Sequence, residues 1–240
     1  MNSQPTQNDS MLPLMVDIWQ QTLNWQPDEK QQRQFQQLYS LIVAGNRQLN
    51  LTRITEPFEF WEKHLWDSLR GIAPFLGNTL PIPHSQFPIP NPQVIDIGTG
   101  AGFPGVPCGI AHPHWQVTLL DSTRKKIAFL DTLLAQLGLS NATTLLGRSE
   151  QINQQSQYRK TYDLALIRAV GSASVCAEYA LPFLKSGGLA ILYRGHWTDE
   201  EAADLQPVIE KLRGKLESIE AFTTPLTQSV RHCLYLRKLG

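Results

Sequence analysis

The sequence predicts an α/β fold: a mainly parallel, seven-stranded sheet with an antiparallel edge, helices on both faces, and a helical section in front of it. Three observations carry that prediction. Beyond Gln93, short β-branched or leucine-rich runs alternate with helix-periodic ones, the pattern of a parallel sheet covered on both sides. The first of those runs, Val94–Ile97, opens directly into a glycine-rich loop and then a helix. The chain also ends on two strand-like runs with no helix between them, which make an antiparallel pair at one sheet edge.

In chain order, residues 1–10 are polar. Leu12, Met15, Val16, Trp19 and Leu23 then fall at helical spacing. Pro27-Asp28 starts a second helix, with Asp28 as N-cap and Phe35, Leu38, Tyr39, Ile42 and Val43 as its buried stripe. A third begins at Thr55-Glu56-Pro57, where proline suits a first turn, and runs through Trp61, Leu65, Leu69 and Ile72. Residues 1–76 are therefore read as a helical extension. The stretch 77–92 contains Pro81, Pro83, Pro88, Pro90 and Pro92 and is read as a stiff connector marking the domain boundary. From 93 to 240 the expected strands are Val94–Ile97, Gln116–Leu120, Thr143–Leu146, Asp163–Ile167, Leu189–Tyr193, Glu217–Phe222 and His232–Leu236. The expected helices between them are Val106–Ala111, Arg124–Leu137, Ser174–Leu184 and Glu200–Leu212.

Composition narrows the function classes. With 240 residues, 42% hydrophobic and 18% charged, the chain is neither collagen-like, disordered nor a disulfide scaffold. No uncharged apolar run approaches the roughly 18 residues needed to span a bilayer, and Met1–Thr6 has neither the basic patch nor the apolar stretch of a secretory signal. Cys108, Cys176 and Cys233 are odd in number and far apart, as expected of reduced thiols in a cytosolic protein. Cys108, His112 and His114 lack a fourth ligand and flank Pro113, so a surface turn is expected there and no metal site.

The most informative segment is Asp96-Ile97-Gly98-Thr99-Gly100-Ala101-Gly102-Phe103-Pro104-Gly105. Glycines at alternating positions after a buried strand permit a tight turn and let a ligand approach bare backbone, at the end of the strand where doubly wound folds bind ligands. The second strand ends in Asp121, 23 residues after Gly98, where a carboxylate can accept two ribose hydroxyls. Two cofactor classes use this layout. Gly100, Gly102 and Gly105 spell the dinucleotide pattern of a nicotinamide-dependent (NAD(P)) oxidoreductase. Counted from Asp96, the same segment spells the S-adenosylmethionine pattern of Rossmann-type methyltransferases. Charge favours the second: a carboxylate repels a pyrophosphate but suits a ligand with an ammonium and a sulfonium, and Pro104 and Pro107 remove donors a phosphate would use. A donor-binding module without catalysis, associated with RNA, is a third possibility.

Several pieces then coincide: Leu49-Asn50-Leu51-Thr52, His64-Leu65-Trp66-Asp67-Ser68-Leu69, the glycine loop, Leu120-Asp121-Ser122-Thr123-Arg124-Lys125-Lys126, Arg148-Ser149-Glu150 and Ile167-Arg168-Ala169. The set resembles the bacterial 16S ribosomal RNA methyltransferase family RsmG, also called glucose-inhibited division protein B, over nearly everything from Gln48 to Leu236. The resemblance implies methyl transfer from S-adenosyl-L-methionine to N7 of a guanine in 16S ribosomal RNA or the 30S subunit, with no membrane and no protein partner required. It implies that Asp96, Gly98, Gly100, Gly102 and Phe103 belong to the donor-binding loop, that Asp121, Ser122 and Thr123 face the ribose, and that Ser149 and Glu150 meet the adenine. Arg168 is implied at the donor site and, with Lys125, in orienting the reaction. Lys125, Arg148 and Arg231 match basic positions that the family places around the RNA or the reacting centre; Arg124, Lys125 and Lys126 together oppose the dipole of the helix they start, which points to an RNA-facing role. Ile167-Arg168-Ala169-Val170 stands where exocyclic-amine methyltransferases carry a D/N-P-P-Y/F motif, which disfavours N6 or N4 methylation.

Blander roles fit other residues. His64 and Asp67 lie three apart on one helical face, where a capping or interdomain hydrogen bond is expected. Trp61 and Trp66 read as core. Net charge is zero, yet residues 76–240 hold 15 basic against 13 acidic groups, with basic ones at loops beside strand ends. A weak, transient RNA encounter is expected from that distribution.

Overall fold

The computed structural model describes residues 11–76 and 91–240; the connector and boundary expected at 77–92 lie almost wholly outside those residues. Seven strands form one sheet: β1 (Gln93–Ile97), β2 (Gln116–Asp121), β3 (Ala142–Leu146), β4 (Tyr162–Arg168), β5 (Leu184–Arg194), β6 (Gly214–Thr223) and β7 (Val230–Lys238). Their order is β3-β2-β1-β4-β5-β7-β6. The first five run parallel, and β7 enters antiparallel between β5 and β6. The strands buried on both faces, such as β4 with Leu164, Ala165, Leu166 and Ile167 all essentially inaccessible, explain the unbroken apolar runs in the sequence. Because chain order reverses between β1 and β4, a crevice opens there at the carboxyl ends of the strands. Arg194 of β5 pairs with His232, so β7 begins at that same end and brings Arg231 to it.

Helices α6 (Gly105–Ala111), α7 (Arg124–Leu137), α8 (Ser149–Ile152), α9 (Ala173–Ala180) and α10 (Asp199–Lys211) cover the sheet. The helix expected over Ser174–Leu184 stops early. Pro182 sits in a 3-10 turn, Leu181–Phe183, and Leu184 already begins β5, which is longer than the expected Leu189–Tyr193.

The N-terminal section comprises α1 (Val16–Leu23), α2 (Glu29–Leu49), α3 (Pro57–Phe60), α4 (Asp67–Gly71) and α5 (Ala73–Leu76). Asp28 caps α2 as expected: its carboxylate accepts the Gln31 N–H at 2.8 Å while the Gln31 side chain accepts the Asp28 N–H at 2.9 Å. Such a cap contributes about 1 kcal/mol. The same Gln31 amide donates to the Ile110 and Ala111 carbonyls at the end of α6, so one residue both starts α2 and ties it to the sheet layer. The continuous third helix expected from Pro57 is interrupted by a π-helical stretch, Trp61–Trp66, between α3 and α4. Trp61 and Trp66 are each 1% exposed, which makes them core rather than a stacking platform. One hydrophobic cluster runs from Trp19 and Trp61 through Val94 and Leu119 to Tyr235, so the helical section shares its core with the sheet. The buried Glu62 carboxylate adds a polar weld, accepting the N–H groups of Leu226 and Thr227 from the loop between β6 and β7.

Candidate functional site

Two hollows open at the carboxyl end of the sheet. The first, of about 190 Å³, lies over β1, β2 and β3 and is lined by Gly98, Asp121, Ser122, Arg148, Ser149 and Glu150, with Val170 and Tyr179 closing it. Gly98 requires its residue type twice over. Its φ is +69°, and an added Cβ would stand 2.6 Å from Val170 Cγ2. Asp121 is buried and joins two loops, its Oδ2 accepting the Gly100 N–H at 3.0 Å and its Oδ1 the Thr123 N–H at 2.8 Å. Each oxygen keeps a second lone pair for a ligand diol.

The N–H groups of the glycine loop are nearly all committed within the protein. Gly98 and Thr99 donate to the Leu120 carbonyl, Gly102 and Phe103 to the Thr99 carbonyl, and Val106 to the Gly102 carbonyl. Gly100 donates to Asp121 and Gly105 to Asp96. Pro104 has no N–H, which leaves that of Ala101 as the one uncommitted donor from Gly98 to Val106 among the described residues. A pyrophosphate held at a helix N-terminus needs several such donors. S-adenosylmethionine carries no phosphate and needs fewer of them, so the loop suits it better than a dinucleotide.

Asp96 stands under this loop and does not line the hollow. Its Oδ2 accepts Thr99 Oγ1–H at 2.5 Å and the Gly105 N–H at 2.8 Å, and its Oδ1 has no hydrogen-bond partner. Complete burial pushes its pKa up to about 6, against the pull of those two hydrogen bonds. Its role in the geometry is to pin the turn. Gly102 also lies inside the fold, where an added Cβ would press on Val106 and Leu130.

The second hollow, of about 460 Å³, lies over β4, β5 and β7 and is lined by Asp67, Arg168, Arg194, His196, Glu201 and Arg231. Arg168 belongs here and not to the lining of the first hollow. Its Nη1 donates to Asp67 Oδ2 at 2.7 Å and to the Lys63 carbonyl at 2.9 Å, and its Nη2 faces His64 Nδ1 at 3.4 Å. His64 Nε2 meets Thr52 Oγ1 at 2.8 Å. Burial first, then the Arg168 and Lys63 charges, hold the His64 pKa down to about 3, so the imidazole is neutral. Phe103 stacks on that imidazole with centroids 4.4 Å apart and planes 9° from parallel. The glycine loop, the π-helical stretch and the end of β4 thus meet at Phe103, His64 and Arg168. Ser68 completes the motif, its carbonyl accepting the Tyr193 hydroxyl at 2.8 Å.

The remaining basic residues surround both hollows. Arg124 and Lys125 are exposed at the start of α7, Lys126 lies 3.9 Å from Asp121, and Arg148 lies 3.8 Å from Glu150 on the rim of the first hollow. Arg231 lines the second. Arg194, His196 and Glu201 were not singled out by sequence, although Arg194 repeats the pattern of Arg168, a charge closing a buried strand. His112, away from both hollows, packs flat on Trp115 with centroids 4.1 Å apart.

A family model described as rRNA small subunit methyltransferase G matches residues 31–232. A protein of Nostoc punctiforme named ribosomal RNA small subunit methyltransferase G is 63% identical over 231 residues, covering 96% of this chain and 92% of its own length. One of the same name from Trichormus variabilis is 63% identical over 233 residues, with coverage of 96% and 92%. Among solved structures, a 16S rRNA adenine-N1 methyltransferase from Catenulisporales acidiphilia superposes with a TM-score of 0.53 at 14% identity, covering 62% of this chain and 86% of that one, which is a likeness of fold.

Proposed function

The chain belongs to the rRNA small subunit methyltransferase G family, and from that premise we propose that it transfers a methyl group from S-adenosylmethionine to N7 of a guanine in 16S ribosomal RNA. The substrate is the RNA itself or the 30S subunit, met in the cytoplasm; among the described residues no helix is long and apolar enough to cross a membrane. The observation that carries the reading is the glycine loop whose N–H groups, that of Ala101 apart, are committed within the protein, beside a buried diol acceptor, Asp121. Gly98, Asp121, Ser122, Ser149 and Glu150 hold the donor, Gly100 and Thr123 hold the Asp121 carboxylate in place, and Asp96, Gly102 and Phe103 hold the loop in shape.

When bound, S-adenosylmethionine supplies an electrophilic methyl on a positively charged sulphur. Guanine N7 has a free lone pair and no proton to lose, so the protein needs no general base; it must orient the base and exclude misaligned approach. Arg168, fixed by Asp67, Lys63 and His64, presents a guanidinium edge to O6, the acceptor next to N7. Lys125 with Arg124, Lys126, Arg148 and Arg231 meets RNA phosphates around the two hollows, which gives a modest salt dependence for a chain of zero net charge.

Transfer of labelled methyl to ribosomal RNA from cells lacking the protein, followed by mapping, tests this reading. The expected result is one 7-methylguanine in the small-subunit RNA. Label on an exocyclic amine, or none on RNA, contradicts it.

A further inference from the structure

We infer that the second hollow is the pocket for the target guanine and that the Glu201 carboxylate reads the guanine's N1–H and N2–H groups, making it a specificity-determining residue. The inference rests on the methyl-transfer reading above and deepens it. Around the rim of a guanine the groups run N7, O6, N1–H, N2–H₂. Across the sheet the side chains run in a matching order. The donor hollow lies on the β1 side, Arg168 closes β4, Arg194 closes β5, and neighbouring strands are about 4.8 Å apart. A base with N7 turned toward the donor therefore puts O6 at Arg168 and its donor edge one strand further on. There Glu201, in the first turn of α10, lines the wall.

Glu201 has left its usual local job. It sits three residues after the N-cap Thr198, where a glutamate ordinarily reaches back to the cap's N–H. Here the Thr198 hydroxyl accepts the Glu201 N–H at 3.2 Å, but the Glu201 side chain turns to Arg194 instead. Arg194 is itself held by the Gly171 carbonyl, so the pair is anchored to the loop after β4. Only Oε1 of Glu201 is engaged, and Oε2 has no hydrogen-bond partner among the described residues. The glutamate side chain is 25% exposed, enough for a base to reach it. A carboxylate accepts both guanine donors and would oppose the N1 acceptor of adenine. Arg231, beginning the next strand on the same wall, is left for a phosphate.

The test uses small subunits reconstituted with 16S ribosomal RNA carrying guanosine or inosine at the mapped position. Inosine keeps N7, O6 and N1–H but lacks the N2 amine. The wild-type enzyme is expected to prefer guanosine by about 10-fold or more in kcat/KM, the worth of a hydrogen bond to a charged acceptor. In Glu201→Gln that preference should fall toward unity, with donor affinity by calorimetry unchanged as the check on folding. Loss of a merely structural contact would slow both substrates alike and leave the ratio in place. A Glu201→Gln ratio equal to the wild-type ratio, or a wild-type ratio of one, overturns the assignment of Glu201. Failure of the wild type on both RNAs, with donor bound, overturns the underlying methyl-transfer reading and the pocket with it.

Discussion

The two hollows at the end of the sheet are built from different materials. The one over β1–β3 is floored largely by backbone: Gly98 and Thr99 donate to the Leu120 carbonyl, and Gly100 and Thr123 to Asp121, through hydrogen bonds that span at most 22 residues of chain. The one over β4, β5 and β7 is made of long side chains from remote segments, with Arg168 and Asp67 lying 101 residues apart. A backbone-built hollow depends on conformation and close approach, so it breaks through single atoms added in the wrong place. A side-chain-built hollow depends on charge and reach, so it loses rate before it loses binding.

Substitutions separate the two kinds. The largest effect is expected from Gly98→Val, which puts a β-branched residue at φ +69° and drives its Cβ into Val170. Calorimetry should find no S-adenosylmethionine binding, and the melting temperature of the free protein should fall by several degrees, because the strained φ and the Val170 clash act without ligand as well. Arg168→Ala should lower kcat by about 100-fold, the usual cost of one preorganised donor, with donor affinity preserved. Unchanged methylation in a folded Arg168→Ala protein would remove that residue from the site. Asp67→Asn, which leaves the guanidinium in place with a neutral partner, should lower kcat by about 10-fold through looser orientation; parity with wild type would make the pair ornamental. The smallest effect concerns His64. Its folded pKa of about 3 lies below the ordinary 6.5, so the folded state binds fewer protons than the unfolded one between those values. Stability from this group is complete above pH 6.5 and drains away as pH falls toward 3. Relative to His64→Gln, the wild type should therefore lose about 1 kcal/mol between pH 6 and pH 5, read from denaturant unfolding.

The same contrast explains what could be read from the sequence. The Asp28 cap, the Pro57 start of α3 and the full span Arg124–Leu137 follow from local rules of capping and periodicity, and each stands where those rules put it. The alternation beyond Gln93 was enough for the sheet, since buried parallel strands write themselves as apolar runs. The π-helical stretch at Trp61–Trp66 was not legible, because it depends on how two tryptophans pack against Trp19 and Phe222. His64, Asp67 and Arg168 were each conspicuous, but that Arg168 bonds Asp67 and faces His64 across 101 and 104 residues of chain is shown only by the fold. Asp96 shows the limit from the other side. Its charge looked suited to the donor, whereas the turn it closes buries it against Thr99 and Gly105.

One measurement bears most directly on a loop that leaves a single N–H free and offers a buried carboxylate instead. Isothermal titration of the protein with S-adenosylmethionine and, separately, with NAD should give saturable heat for the first and none for the second. Saturable binding of NAD, with S-adenosylmethionine silent, would contradict the account.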